Sequence, residues 1–318
     1  MGTMILSETA DARTSVTFQQ DPQNPNRIPF LYSATPPRAD IAEDRRQSAA
    51  MRLAQRANQM RLSGVVVYDV QDEGDRTQAP RPFPFRPAVE TQAYAQQLRG
   101  LVSAPLITYK CIAGMQAWEW ERWLCETVHA GVEAVSVVGL ASSTAHREGI
   151  TLTRALEFAS EHAPKLALGG VVIPERHARQ DECARLLRKA DLGCRYFISQ
   201  AIYDPALTIK LLGDYARACE DAGVAPQRIF LTFAPCGSEK TLEFMRWLGV
   251  QIPEETAQRI LKSDAPLTES IRVCVSHFRE IREASADLAI PLGVNIESVS
   301  SKKDESQGAL DLYRALWI

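Results

Sequence analysis

The chain has 318 residues, of which 45% are hydrophobic and 24% are charged, a composition typical of a folded globular protein. Its formal net charge of -3 gives no sign of the basic surface that nucleic-acid binding requires. No run of about 18 apolar residues occurs, so we expect no membrane-spanning helix. The N-terminus lacks a charged start followed by an apolar core, so we expect no secretory signal.

The seven cysteines are scattered along the chain and include no Cys-x-x-Cys pair, which is typical of reduced thiols in a cytoplasmic protein. The five histidines are dispersed as well and show no spacing typical of zinc ligands. We therefore predict a cytoplasmic protein without a metal site.

Residues 1–27 are polar and lack periodicity, so we predict a flexible N-terminal arm. From residue 28 onward, short apolar runs alternate with amphipathic helical segments, and no linker divides the chain. We therefore predict one domain over 28–318. Its strands are expected near 28–33, 64–70, 105–111, 134–139, 166–173, 196–200, 228–233 and 290–296. Its helices are expected over 39–62, 88–101, 114–130, 148–162, 181–190, 205–222, 238–248, 254–261, 267–288 and 304–317.

Eight strands, each followed by a helix, are the elements of a closed α/β barrel, the (β/α)8 or TIM barrel. The alternative is an open, doubly wound sheet, but no Gly-x-Gly-x-x-Gly follows any of the strands. A Pro-rich loop over 79–87 follows the second strand, and we expect it to cover the mouth of the barrel.

The carboxyl ends of the strands converge on one mouth in such a barrel, where the active sites of this fold lie. The polar and aromatic side chains expected there exceed what fold stability needs, and they are Tyr32, Ser33, Tyr68, Asp69, Asp72, Glu73, Lys110, Glu175, His177, Gln200, Phe233 and Glu297. Gln200 ends an apolar strand, so its amide would need a buried partner or a ligand. Lys110 is interpreted as a solvated or phosphate-pairing lysine rather than as a Schiff-base lysine.

The region from Leu166 to Ile260 carries several short patterns in a fixed order. They are Pro174-Glu175-Arg176-His177 after a strand, then Lys189, Asp191 and Gly193 at a helix end, then Ile198-Ser199-Gln200 with Asp204, then Pro235, and finally Ile252-Pro253. In these patterns and their spacing, the chain resembles the methylenetetrahydrofolate reductase family.

The resemblance implies a barrel enzyme that reduces 5,10-methylenetetrahydrofolate to the 5-methyl form, with FAD or NAD(P)H as the source of hydride. It also implies that His177 and Lys189 contact a flavin and that Gln200 hydrogen-bonds the pterin of the folate. Of the other strand-end residues, we assign Tyr68 and Lys110 to the cofactor. The residues assigned to the folate substrate are Tyr32, Ser33, Phe233 and Glu297.

Two carboxylates of the family are missing from this chain. Ser33 stands where the family has a glutamate, and residues 139–141 are Gly-Leu-Ala where the family has Arg-Gly-Asp. Opening the methylene bridge requires protonation of a folate nitrogen, so another acid must replace them. The acids expected on the strands that flank the first strand are Asp69, Asp72, Glu73 and Glu297. Of these, we predict Asp69 and Glu73 as the catalytic residues.

The missing acids leave two other functions open. The chain could be a folate-dependent protein of one-carbon transfer that does not catalyse reduction. It could also be a non-catalytic barrel that binds folate or a partner subunit, and a homo-oligomer is compatible with the sequence.

Overall fold

The computed structural model of the protein describes residues 28–74, 77–139, 148–299 and 303–317. The arm predicted over 1–27 lies outside these residues, and so do Leu140 and Ala141 of the missing Arg-Gly-Asp motif. Within the described ranges, no helix is both long and apolar enough to cross a lipid bilayer.

Eight parallel strands form a closed barrel, in which each strand pairs with the next along the chain and the last pairs with the first. This arrangement confirms the predicted (β/α)8 barrel. The strands are β1 (Phe30–Ala34), β2 (Gly64–Val67), β3 (Leu106–Cys111), β4 (Ala134–Val138), β5 (Ala167–Val172), β6 (Cys194–Ala201), β7 (Arg228–Phe233) and β8 (Leu292–Glu297).

Helices surround the barrel, and each predicted helix is present, the one over 254–261 with the predicted bounds and the others with one or both ends shifted. They are α1 (Glu43–Ala57), α2 (Thr91–Leu98), α3 (Ala117–His129), α4 (Leu152–His162), α5 (Glu182–Asp191), α6 (Pro205–Asp221), α7 (Glu239–Trp247), α8 (Glu254–Leu261), α9 (Pro266–Ala284) and α10 (Lys303–Leu316). The first helix starts at Glu43 rather than at residue 39, because the preceding backbone pairs with the Pro-rich loop. The Ala39 N–H donates to the Pro87 carbonyl at 2.8 Å, and the Val89 N–H donates to the Pro37 carbonyl at 2.9 Å.

The alternation of side chains along each strand divides the core into two parts. One part fills the inside of the barrel and includes Leu31, Val66, Ile107, Ala134, Tyr196, Ile198 and Phe230. The other part lies between the strands and the helices and includes Phe30, Val65, Phe197 and Leu231. The direction in which a strand-end residue points therefore depends on its parity along the strand.

Two glycines inside the barrel make room for large aromatic rings. A Cβ atom added at Gly169 would collide with the Tyr196 ring, and one added at Gly293 would collide with the Phe230 ring. The two rings lie edge to face with their centroids 6.3 Å apart. Because these rings fill the interior, the space left for a ligand lies at the carboxyl ends of the strands.

The Pro-rich loop follows β2 in sequence and packs against α7 at the mouth of the barrel. The Trp247 indole N–H donates to the Ala79 carbonyl at 3.0 Å, and the rings of Phe83 and Phe244 meet edge to face at 5.3 Å. The loop is thus held at both of its ends, by α7 and by the pairing with residues 37–39.

Candidate functional site

A cleft with a volume of about 430 Å³ opens at the carboxyl ends of the strands. This volume lies within the range of pockets that bind small molecules, roughly 300–1,000 Å³. The predicted site residues that line it are Tyr68, Asp69, Glu73, Lys189, Gln200 and Glu297. The same lining includes Arg81 of the Pro-rich loop and Phe244 and Leu248 at α7, which reasoning from strand ends missed.

Asp69, which follows β2 after Tyr68, is a half-buried carboxylate held by two hydrogen bonds. One oxygen accepts from the Cys111 backbone N–H at 2.8 Å, and the other accepts from the Gln71 side chain at 2.9 Å. Burial raises the pKa of Asp69 above its usual value, although the nearby Lys110 charge opposes the shift. The raised pKa makes the protonated acid more accessible, which suits a group that gives a proton to a ligand.

Glu297, the last residue of β8, is the second carboxylate of the cleft. Its side chain accepts a hydrogen bond of 2.6 Å from the Tyr68 hydroxyl. Burial raises the pKa of Glu297, and the hydrogen bond from Tyr68 works against that rise. Burial and the Glu297 charge raise the pKa of Tyr68 as well, so the phenol keeps its proton and remains the donor.

A buried hydrogen-bond chain inside the barrel supports this pair. The Ser33 hydroxyl donates to the Asn295 carbonyl oxygen at 2.6 Å, and the Asn295 amide donates to the Tyr68 oxygen at 3.1 Å. The same amide donates to the Thr232 hydroxyl at 3.1 Å. Ser33 is 1% exposed and is not one of the described residues that line the cleft. It therefore acts on the site through its hydrogen bond to Asn295.

Gln200 enters the cleft where the pairing of β6 with β7 is irregular, between Ile198 and Ala201. Its amide nitrogen donates to the Leu248 carbonyl at 3.1 Å. This contact orients the side chain and leaves the amide oxygen as the group that can accept a hydrogen bond from a ligand. Such irregularities often re-aim side chains next to active sites.

The opposite side of the cleft is basic. The Lys189 ammonium donates to the Val171 carbonyl at 2.8 Å, and burial lowers the pKa of this lysine to about 8. Arg176 makes a two-pronged ion pair with the fully buried Glu182, at 2.7 and 3.1 Å. Both cations are therefore engaged with the protein itself.

Arg81 is held differently from these two cations. Its guanidinium carbon lies 5.1 to 5.4 Å from the ring centroids of Phe85, Phe244 and Trp247. One terminal nitrogen donates to the Gln71 carbonyl at 3.4 Å, and Nε is buried without a hydrogen-bond partner among the described residues. A cation stacked on aromatic faces in this way keeps N–H groups for an anionic ligand.

Three residues that we assigned to substrate or cofactor point away from the cleft. The Tyr32 hydroxyl accepts from Arg56 at 3.3 Å, and the Phe233 ring packs against Phe278 at 6.0 Å. The Lys110 ammonium pairs at 3.0 Å with Glu90, the residue that precedes α2. All three have the outward parity of their strands, so direct contacts with a ligand in the cleft do not fit their placement.

The two residues that the resemblance assigns to a flavin, Lys189 and His177, do not line one common cavity. Lys189 lines the cleft, whereas His177 lines a separate cavity beside α5 and α6. The His177 ring is engaged there with Asp214 at 2.9 Å. The two residues that the resemblance assigns to a flavin therefore line different cavities.

Replacing Glu297 by glutamine should stabilise the fold at neutral pH. The folded-state pKa of Glu297 is raised, so the wild type loses stability as pH rises from the usual carboxyl pKa through the raised one. The amide of the variant carries no such charge, so the advantage of Glu297→Gln should shrink as the pH falls from the raised pKa toward the usual carboxyl pKa and should be smallest below it. Chemical denaturation across this pH range measures the effect, with exposed Glu255→Gln as the control. A Glu297→Gln variant less stable than the wild type at neutral pH would contradict this expectation.

Comparison with known proteins places the chain beside a folate-binding barrel. No family model matches the chain, and no curated protein matches it. One similar solved structure is an uncharacterized protein from Clostridium thermocellum that binds two copies of 5-methyl-5,6,7,8-tetrahydrofolic acid. Its sequence is 30% identical to this chain and its structure superposes with a TM-score of 0.76. The match covers 90% of this chain and 93% of that chain. Dihydropteroate synthases from Xanthomonas albilineans and Thermus thermophilus are each 12% identical, with TM-scores of 0.43 and 0.44, over 92% of this chain and 94% and 95% of theirs. These two similarities are too weak to argue from, and the resemblance to the reductase family stays a prediction. The chain belongs to the same family as the Clostridium thermocellum protein.

Proposed function

We propose that the protein binds a reduced folate in the cleft, with the pterin ring against Asp69 and Glu297. The observation that carries the proposal is the pair of half-buried carboxyl groups, from β2 and β8, that line one small-molecule cleft with burial-raised pKa values. Binding of 5-methyltetrahydrofolate by the family member from Clostridium thermocellum supports the same ligand class.

The chemistry of the pterin matches these groups. Its amino-pyrimidinone edge presents two neighbouring N–H donors, which a carboxylate can accept with both oxygens. The amide oxygen of Gln200 offers a further acceptor on another strand. Apolar side chains of the lining, Val137, Val138 and Val171, supply the flat surfaces that an aromatic ring needs.

The folate tail ends in carboxylates, and Arg81 is a cleft cation with N–H groups to meet them. Arg176 is committed to Glu182 and Lys189 to a backbone carbonyl, whereas the described contacts of Arg81 are aromatic rings and one long hydrogen bond. We assign Arg81 to the glutamate end of the ligand, with the pterin at the acidic wall.

Replacing either carboxylate should weaken binding of 5-methyltetrahydrofolate. Each change removes a charge-assisted hydrogen bond worth about 1.5–3 kcal/mol, so Asp69→Asn and Glu297→Gln should each lower affinity by roughly tenfold or more. Isothermal titration calorimetry measures this, and Glu255→Gln on the exposed face of α8 should bind as the wild type does. Unchanged affinity in both carboxylate variants would contradict the assigned pterin position.

Arg81→Gln should discriminate between ligands with and without the tail. We expect about a tenfold loss of affinity for 5-methyltetrahydrofolate and little change for a tetrahydropterin that lacks the benzoylglutamate, because only the former carries carboxylates. Calorimetry with both ligands on both proteins completes the comparison. An equal loss for the two ligands would show that Arg81 acts only by holding the Pro-rich loop.

Reduction of methylenetetrahydrofolate is the second candidate, favoured by the raised pKa of Asp69. A proton from this acid to the bridge nitrogen would open the methylene bridge to an iminium. Hydride from NAD(P)H would then give the 5-methyl product and NAD(P)⁺. Glu73, half-buried in the same cleft, keeps its predicted role as the accompanying acid.

Assays of NADH and NADPH oxidation with methylenetetrahydrofolate, with and without added FAD, test the reductase. We expect turnover that Asp69→Asn lowers roughly 10²- to 10⁴-fold, the usual contribution of a positioned acid. Folate binding without turnover under every condition would eliminate the reductase and leave a one-carbon transfer or partner role for the bound folate.

A further inference from the structure

A second cavity, with a volume of about 580 Å³, lies between α5 and α6. The described residues that line it are different from those that line the folate cleft. In its wall, His177, Asp181 and Cys183 each offer one ligand atom, and these three atoms lie within 4.8 Å of one another. A nitrogen, an oxygen and a sulfur ligand therefore meet on the outside of the barrel.

The His177 ring is oriented by a carboxylate behind it. Its Nε2 lies 2.9 Å from an Asp214 oxygen, while its Nδ1 faces the Cys183 sulfur at 3.9 Å. The same Asp214 oxygen also accepts a hydrogen bond from Lys210, so the carboxylate lies in position to accept from Nε2–H of His177. The lone pair of Nδ1 is thereby directed toward the thiol. Carboxylate–histidine–metal arrangements fix metal-ligating imidazoles in this way.

The other two ligands are fixed by the start of α5. One Asp181 oxygen accepts from the Ala184 N–H at 2.9 Å and caps the helix, which leaves the second oxygen for another bond. Cys183 follows in the first turn, buried, with its sulfur in the cavity wall. Zn–S and Zn–N bonds at tetrahedral angles separate two ligand atoms by roughly 3.5 Å, close to the observed 3.9 Å between sulfur and Nδ1.

We propose that His177, Asp181 and Cys183 form a binding site for a transition-metal dication of the Zn²⁺ class, with one coordination position open to the cavity. Hard cations such as Ca²⁺ and Mg²⁺ select oxygen ligands only, so the nitrogen and sulfur atoms point to a softer metal. Three protein ligands and an open position are the arrangement of reactive rather than purely structural zinc sites.

Binding exchanges a proton for the metal and changes no oxidation state. Cysteine coordinates a metal as the thiolate, so the Cys183 thiol gives up its proton when the metal binds. The metal forms a bond to sulfur, the S–H bond breaks, and the proton leaves to solvent.

Titration of the purified full-length protein with Co²⁺ tests the site. We expect one equivalent to bind with a near-ultraviolet charge-transfer band from sulfur to cobalt. Cys183→Ser should abolish the band, and Asp214→Asn should weaken affinity about 10- to 100-fold while keeping it, as for other groups that orient a metal ligand. Cys125→Ser on α3 provides a matched thiol control with an unchanged titration.

Two results would overturn the proposal, namely a wild-type protein without the band, or a band that persists in Cys183→Ser. If Cys183→Ser does not fold, as judged by circular dichroism, His177→Gln replaces it, and an unchanged cobalt affinity in that variant is equally decisive. Folate binding reports separately on the cleft, so the two sites can fail independently.

Discussion

The hydrogen-bond chain from Ser33 through Asn295 and Tyr68 to Glu297 connects the closure of the barrel to the chemistry of its mouth. Its members come from β1, β8 and the end of β2, the strands where the first and last units of the fold meet. A polar group buried here without a partner would cost about 1–3 kcal/mol. Each of these side chains therefore needs its neighbour as a hydrogen-bond partner. This series of hydrogen bonds ends at the Glu297 carboxylate, which faces the cleft. The closure that stabilises the barrel thus also sets the position of Glu297.

The cleft gains its character from the way charges are distributed around the ring of strands. Carboxylates stand at the ends of β2 and β8, while cations stand on α5 and on the Pro-rich loop. A reduced folate has the complementary polarity, with N–H donors at the pterin and carboxylates at the tail. In the proposed binding mode, partial burial strengthens both contacts, because a lower dielectric screens them less. The proposed binding mode therefore sets the orientation of the ligand as well as its position.

The fold could be predicted from the sequence because apolar periodicity reports burial, and every strand and helix of the barrel follows such a run. Asp69, Gln200 and Glu297 could be placed near the cleft for the same reason. Tyr32 and Phe233 could not, because their direction depends on a parity that one shifted strand boundary reverses. Counting residues from Leu31 or Phe230, which face the barrel interior, would have shown that Tyr32 and Phe233 point outward.

Other parts of the site depend on contacts that are remote in sequence. Arg81 reaches the cleft because the loop that carries it packs on Phe244 and Trp247, about 160 residues further along the chain. The group of His177, Asp181 and Cys183 is local, yet it follows no familiar ligand spacing, and only the helix start and Asp214 bring its atoms together. Propensity and periodicity carry no information on such side-chain contacts.

The most direct measurement is a crystal structure of the protein grown with saturating 5-methyltetrahydrofolate. We expect the ligand in the cleft, with the amino edge of the pterin on the carboxylates of Asp69 and Glu297 and the glutamate toward Arg81. A cleft that stays empty at saturation, or a pterin bound away from both carboxylates, would contradict the proposed function.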